Sequence, residues 1–144
     1  MGVLSKSSLV HHPDGYALFA GMVSLANGGG FASVRHPCLR LCDAQTVGYR
    51  LHVRGDGKRY KLNLRMDSDF DGVYHQALFQ PPPRRWVDVV LPIGMFSARR
   101  RCQPAPGAPT LVPRQVCQVG WMVGDGQHGP FALEIMNLVC LTRG

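Results

Sequence analysis

The chain has 144 residues, the size of one domain, and its 45% hydrophobic content is enough for a core. The 17 Gly and 11 Pro favour short elements with tight turns over long helices, and the longest apolar run, Ala17 to Ala26, is too short to cross a bilayer. The net charge is +7, carried mostly by Arg, since Lys6, Lys58 and Lys61 are the only lysines; this balance suits an acidic protein, nucleic acid or an anionic surface, and equally a plain soluble domain.

Ser5 to Val10 reads as a short strand and His11 to Gly15 as a turn. The adjacent His11 and His12 would point to opposite faces of a strand, so a solvated turn is the plainer reading than a metal pair. Tyr16 to Leu25 is a strongly apolar strand. Asn27-Gly28-Gly29-Gly30 lacks the spacing of a phosphate-binding loop and reads as a flexible turn. Phe31 to Arg35 is the next strand. His36, Cys38 and Cys42 offer three metal-type ligands without a fourth at a standard spacing, so no metal is expected there.

Tyr49 to Met66 is the most patterned stretch. Tyr49, Leu51 and Val53 alternate with Arg50, His52 and Arg54, and Tyr60, Leu62, Leu64 and Met66 alternate with Lys61, Asn63 and Arg65. Period-two alternation marks strands with one buried face. Asp56-Gly57 between them is a favoured two-residue turn, which predicts a hairpin. In that register Val53 faces Tyr60, Leu51 faces Leu62, Arg50 faces Asn63 and His52 faces Lys61. Arg54 then meets Arg59, and like charges directly opposite each other destabilise a sheet. Asp67, Asp69 and Asp71 are candidates to offset this basic face, as is a bound partner. Those aspartates open like a calcium loop, but Leu78 stands where its bidentate Glu belongs.

Val73 to Phe79 and Trp86 to Leu91 read as another pair of strands, joined through Pro81, Pro82 and Pro83. Pro92 to Phe96 ends in an apolar anchor. Arg99-Arg100-Arg101 opens a long loop to Pro113, and this triplet is a candidate contact for an acidic surface. Gln115 to Val123 and Pro130 to Leu141 are apolar strands joined by a Gly-rich turn. No long helix emerges, so the class is all-β, a sandwich of two antiparallel sheets.

Five cysteines suggest no compact disulfide framework, and Cys117 and Cys140, in apolar runs, read as buried free thiols of a reducing compartment. No signal peptide is visible. The abrupt start leaves open a longer precursor or a missing first strand. No nucleophile elbow, HExxH or P-loop occurs, and paired carboxylates are not evident. Glu134 is the only Glu. Arg54-Gly55-Asp56 spells an integrin-binding tripeptide, but the turn already explains its Gly and Asp.

Four ordered blocks carry a family resemblance: Gly29 to Arg35; Arg54 to Leu62; Trp86 leading to Leu91-Pro92 and Phe96; and Val119 to Met122 followed by Gly129 to Ile135. Together they resemble the complex I intermediate-associated protein family, the thirty-kilodalton assembly factor of NADH:ubiquinone oxidoreductase. The resemblance implies a galactose-binding-like jelly-roll β-sandwich over residues 1–144 and a non-enzymatic role in complex I assembly. It implies a mitochondrial location in a eukaryote and a cytoplasmic one in a bacterium. The family's first strand is shortened here to Met1 to Ser5, and its Arg-Gly-Arg type motif after Phe96 reads Ser97 to Cys102. On this basis an Arg-rich face is expected to hold a partner protein, a respiratory complex subunit or assembly intermediate. Its expected residues are Arg35, Arg50, His52, Arg54, Arg59, Lys61 and Arg65, with Tyr74, Gln76 and Trp86. No cofactor and no nucleic acid are expected. The alternative is a carbohydrate-binding module of the same sandwich type.

Overall fold

The computed structural model describes residues 6–24, 31–37, 42–67, 72–101, 103–125 and 127–142. Two antiparallel sheets form a jelly-roll sandwich. The five-stranded sheet contains β1 (Lys6–His11), β2 (Ala17–Val23), β11 (Gly129–Thr142), β4 (Thr46–Arg54) and β7 (Trp86–Pro92), in that spatial order. The six-stranded sheet contains β3 (Ala32–Pro37), β10 (Gln118–Val123), β5 (Tyr60–Arg65), β6 (Tyr74–Phe79), β8 (Ser97–Arg100) and β9 (Gln103–Pro104).

The alternating strands turn their apolar faces toward each other. Tyr49, Leu51 and Val53 of β4 are buried against Tyr60, Leu62 and Leu64 of β5 within one core. Each fully buried aliphatic side chain contributes about 2 kcal/mol of transfer free energy. Aromatic rings carry the contact between sheets. Phe19 of β2 lies 4.8 Å from Phe131 of β11 and meets Tyr60 across the core at 6.3 Å. Tyr60 continues to Phe79 and Phe79 to Trp121.

The expected hairpin over Tyr49 to Met66 does not form. β4 pairs with β11 and β7, whereas β5 pairs with β10 and β6. A sandwich buries both strands without pairing them, so alternation alone does not separate the two arrangements. Both tight two-residue hairpin turns need positive φ at the first central residue, and Asp56 lacks it while Gly57 has φ +89°. A crossover also separates Arg54 from Arg59, which the hairpin would have forced together. The strands read at Val73 to Phe79 and Trp86 to Leu91 form as β6 and β7, and they belong to different sheets.

The two crossovers rest on each other at one end of the sandwich. A Cβ on Gly55 would lie 2.6 Å from Pro81 Cγ, so only glycine permits this approach. Arg84 N donates to Gly55 O at 3.2 Å, and Gln80 Nε2 donates to Gly57 O at 2.8 Å. Asp56 fastens the crossover to both sheets. Its Oδ1 accepts from Lys58 N and from the Tyr60 hydroxyl at 2.9 Å, and its Oδ2 accepts from Ala132 N at 2.9 Å. This carboxylate is therefore a fold element, not a displayed integrin ligand.

Two further expectations change. The loop read over Arg99 to Pro113 contains the end of β8, all of β9 and the start of a 3-10 turn at Pro113–Gln115. Cys140 is not a free thiol: it forms a disulfide with Cys42, with Cα atoms 5.8 Å apart and 98 residues of separation. This ties the approach to β4 to the end of β11 and removes the cysteine argument for a reducing compartment. Cys117 is free but only partly buried. Among the described residues no helix is long and apolar enough to cross a membrane.

Candidate functional site

The ten expected site residues do not form one face. Arg50, His52, Arg54 and Trp86 lie on the outer face of the five-stranded sheet. Arg35, Lys61, Arg65, Tyr74 and Gln76 lie on the outer face of the six-stranded sheet, with Arg59 just before β5.

On the first face the charges are matched across neighbouring strands. Glu134 of β11, Arg54 of β4 and Trp86 of β7 stand in one row. Arg54 grips Glu134 with two hydrogen bonds, Nε to Oε1 at 3.0 Å and Nη2 to Oε2. The Arg54 guanidinium lies 4.9 Å from the centre of the Trp86 ring. The hydrogen bonds from Arg54 hold the Glu134 carboxyl below its usual range, against the opposing effect of burial, and the same bonds raise Arg54. In the next row His52 Nδ1 is 2.9 Å from Asp88 Oδ1, and its ring stacks on Trp86 at 5.3 Å. Tyr16 meets the edge of the same indole at 5.6 Å, and burial raises the Tyr16 hydroxyl pKa, with Glu134 adding to it. Arg50 is exposed.

Lys61 and Arg59 share Asp125. Lys61 Nζ lies 3.0 Å from Asp125 Oδ1, and Arg59 Nε lies 4.0 Å from Oδ2. Gln127 closes this corner: its Oε1 accepts from Arg59 N and its Nε2 donates to Arg59 O. The offset expected from Asp67, Asp69 and Asp71 thus comes from Glu134, Asp88 and Asp125 for these bases. Asp69 and Asp71 lie outside the described residues, as do Cys38 of the weighed metal set and the Gly28–Gly30 turn. Among the described residues no group of three His, Cys, Asp or Glu side chains could hold a metal ion.

The remaining residues converge. Arg35, Arg65 and Tyr74 line a groove of about 230 Å³ on the six-stranded sheet, with Asn63, Arg101, Gly120, Phe31 and Met122. Its polar floor is built into the sheet: Asn63 is 5% exposed, Arg65 6%, Tyr74 4% and the adjoining Gln76 3%. Gln76 Nε2 donates to Asn63 Oδ1 at 2.9 Å. Arg65 Nη1 donates to Gly72 O at 3.3 Å, and the guanidinium covers the Tyr74 ring at 4.6 Å. Arg101, with φ +51°, stands at the end of β8 where the chain turns toward β9. None of the described lining residues carries a carboxylate. The Arg triplet had signalled Arg101. Asn63 and Gly120 carried no charge signal, and only the sheet register brings them to Arg35.

Residues 1–135 match the family model of Complex I intermediate-associated protein 30 (CIA30). The chain belongs to this family. It is 34% identical over 93 residues to the Drosophila melanogaster protein "Complex I intermediate-associated protein 30, mitochondrial", covering 59% of this chain and 31% of the relative. The chain thus spans about a third of that relative's length. Among solved structures it is similar to the family 11 carbohydrate-binding module of the cellulase Lic26A-Cel5E of Clostridium thermocellum, with TM-score 0.69 and 12% identity over 96% of this chain and 82% of that one. A family 11 module from the same organism, solved in complex with a β-1,3-1,4-mixed-linked tetrasaccharide, matches with TM-score 0.65 and 12% identity over 92% of this chain and 82% of that one. At these identities the likeness shows the β-sandwich fold.

Proposed function

We propose that this CIA30-family domain is a non-catalytic binding module that holds a partner protein in the arginine-lined groove of its six-stranded sheet. One observation carries the reading. Arg35, Arg65 and Arg101 converge from β3, β5 and the end of β8 on one groove of the six-stranded sheet. A concave basic site of this kind favours an acidic surface and speeds its capture. By the family name the partner is an intermediate of complex I assembly, and by the Drosophila relative the compartment is mitochondrial.

The test is Arg35→Glu with Arg101→Glu, both exposed positions. The variant is expected to remain folded by circular dichroism and to lose capture of complex I assembly intermediates in a pull-down from mitochondria. Undiminished capture refutes the groove as the docking site. Arg54→Glu with Lys61→Glu tests something else, because it breaks the internal pairs with Glu134 and Asp125. The carbohydrate-binding reading is supported by the tetrasaccharide complex of the neighbouring fold and by the amides of Asn63 and Gln76 at the groove floor. A glycan array separates the two, since partner capture without any glycan hit removes it.

A further inference from the structure

We propose that the open edge of β11 from Asn137 to Thr142 is a site for an extended segment of a partner protein, which joins the five-stranded sheet as an added strand. This rests on the partner-protein reading above and places a second contact on the sheet opposite the groove.

The edge follows from the strand lengths. β2 pairs with β11 only from Gly129 to Ile135, whereas β4 stays paired with it on to Thr142. The register slips at Met136, where the pairing with β2 stops, and that residue is 40% exposed. Beyond it β11 has β4 on one side, and among the described residues no strand and no backbone hydrogen bond lies on the other. A row of unpaired N–H and C=O groups is a template for another strand, and sheets ordinarily guard their edges with charge or proline. β1 carries Lys6, β3 carries Arg35 and Pro37, β7 carries Asp88 and Pro92, and β9 carries Pro104. Met136 to Thr142 carries neither a charge nor a proline. The Cys42–Cys140 bond fastens this half-paired strand near its end, so it is held extended without a second neighbour. An edge fixed in this way has little freedom left to lose on pairing.

The edge also selects its occupant. Backbone pairing requires an extended chain, and the side chains of β11 set its pattern. Leu138 and Cys140 pack against the core beside Leu51 and Tyr49, whereas Val139 stands beside the exposed Arg50 on the outer face. An added strand places alternate side chains against the rim of the core, so those positions suit apolar residues. Its length is bounded. The edge runs about 20 Å at about 3.4 Å per residue, and β2 occupies the position beside Ile135. Across a sheet about 10 Å thick, such pairing buries about 400 Å², well below the roughly 1,200 Å² of a stable interface. A second copy of the domain would not be held by that contact alone. A short segment of a partner docked elsewhere as well would be.

The experiment is amide hydrogen exchange followed by NMR on the whole domain with its disulfide intact. The probe is a short peptide of alternating valine and threonine flanked by glutamates; the control has its central threonines replaced by proline. In the free domain, alternate amides from Asn137 to Thr142 are expected to exchange at least about tenfold faster than those of Leu133 to Ile135, which are paired on both sides. The alternating peptide is expected to slow them about tenfold, and the proline peptide, which cannot complete a ladder, is not. Slow exchange already in the free domain, no slowing with the peptide, or equal slowing by both peptides overturns the proposal. Slowing that rises with protein concentration alone, with a dimer mass by light scattering, makes the occupant a second copy and overturns it too. Adjacent N–H groups of a strand point to opposite sides, so of Leu138→Pro and Val139→Pro one breaks a bond to β4 and the other removes only an open donor. The more stable of the two by thermal melting is expected to lose the effect of the peptide, and an undiminished effect overturns the proposal. If neither folds, the wild-type exchange decides. If Arg35→Glu with Arg101→Glu abolishes capture of assembly intermediates while wild type ignores the alternating peptide, the partner reading stands and the edge site falls. If wild type captures no assembly intermediate, the partner reading falls, and the peptide alone decides whether the edge takes a strand.

Discussion

Asp56→Ala should be among the most damaging single changes outside the core. β4 leaves its sheet at Arg54, which is paired with Glu134 of β11. Two residues earlier on β11, Ala132 would face position 56 had β4 continued. Its N–H therefore loses a ladder partner, and Asp56 Oδ2 accepts it instead. The other oxygen of the same carboxylate holds the hydroxyl of Tyr60, a fully buried residue at the start of β5. Burial raises the Tyr60 hydroxyl pKa, and the Asp56 carboxylate raises it further, so it remains a donor at every working pH. Removing Asp56 takes the acceptor from three donors, Tyr60 and Ala132 in the two sheets and Lys58 N in the crossover, of which the first two are tied to strands. Each orphan costs about 1–3 kcal/mol, so the loss should be about 4 kcal/mol, a large part of the roughly 5–15 kcal/mol that holds a domain of this kind.

Urea unfolding followed by tryptophan fluorescence measures this, with Trp121 in the core as reporter. Tyr60→Phe alone should cost about 1.5 kcal/mol, because only one arm of the clamp is lost. The double variant should cost less than the sum of the two, since both act on one hydrogen bond. A loss below about 1 kcal/mol for Asp56→Ala, or strict additivity with Tyr60→Phe, would refute the clamp.

Reducing the Cys42–Cys140 bond, or replacing both residues with Ser, should destabilise the domain by about 3–5 kcal/mol, because the bond closes a loop of 98 residues. Calorimetry with and without reductant should show a fall in Tm of roughly 10 °C or more. Glu134 supplies a pH dependence. Its folded pKa lies below the ordinary 4.5, so its contribution is present above that value and is lost as pH falls through the depressed one. Urea melts from about pH 7 to about pH 3 should therefore show Glu134→Gln less stable near neutrality and less sensitive to acid. An unchanged acid limb would remove Arg54 as the cause of the depression.

The strands were legible because each needs only its own alternation. Tyr49, Leu51 and Val53 announce a buried face without reference to any other residue, and so do Tyr60, Leu62 and Leu64. What they face is not local. A hairpin and a sandwich bury the same six side chains, and the deciding contacts involve Ala132 and Pro81, 76 and 26 positions from Asp56 and Gly55. The predicted clash of Arg54 with Arg59 was the one local sign that the hairpin was wrong. Likewise Cys42 and Cys140 say nothing of each other until β4 and β11 are neighbours.

The same limit explains the site. A charge run reports how many bases a segment carries, whereas function depends on how many the fold leaves without an opposing acid. Six of the expected positions carried that ambiguity: Arg50, His52, Arg54, Arg59, Lys61 and Arg65 read as one basic face. The jelly-roll order gives His52 to Asp88, Arg54 to Glu134, and Arg59 and Lys61 to Asp125. Glu134 and Asp88 thus serve the five-stranded sheet, and Asp125 serves the end of β5 in the six-stranded one. Which base answers which acid is therefore a property of the strand order, and no count of charges along the chain contains it.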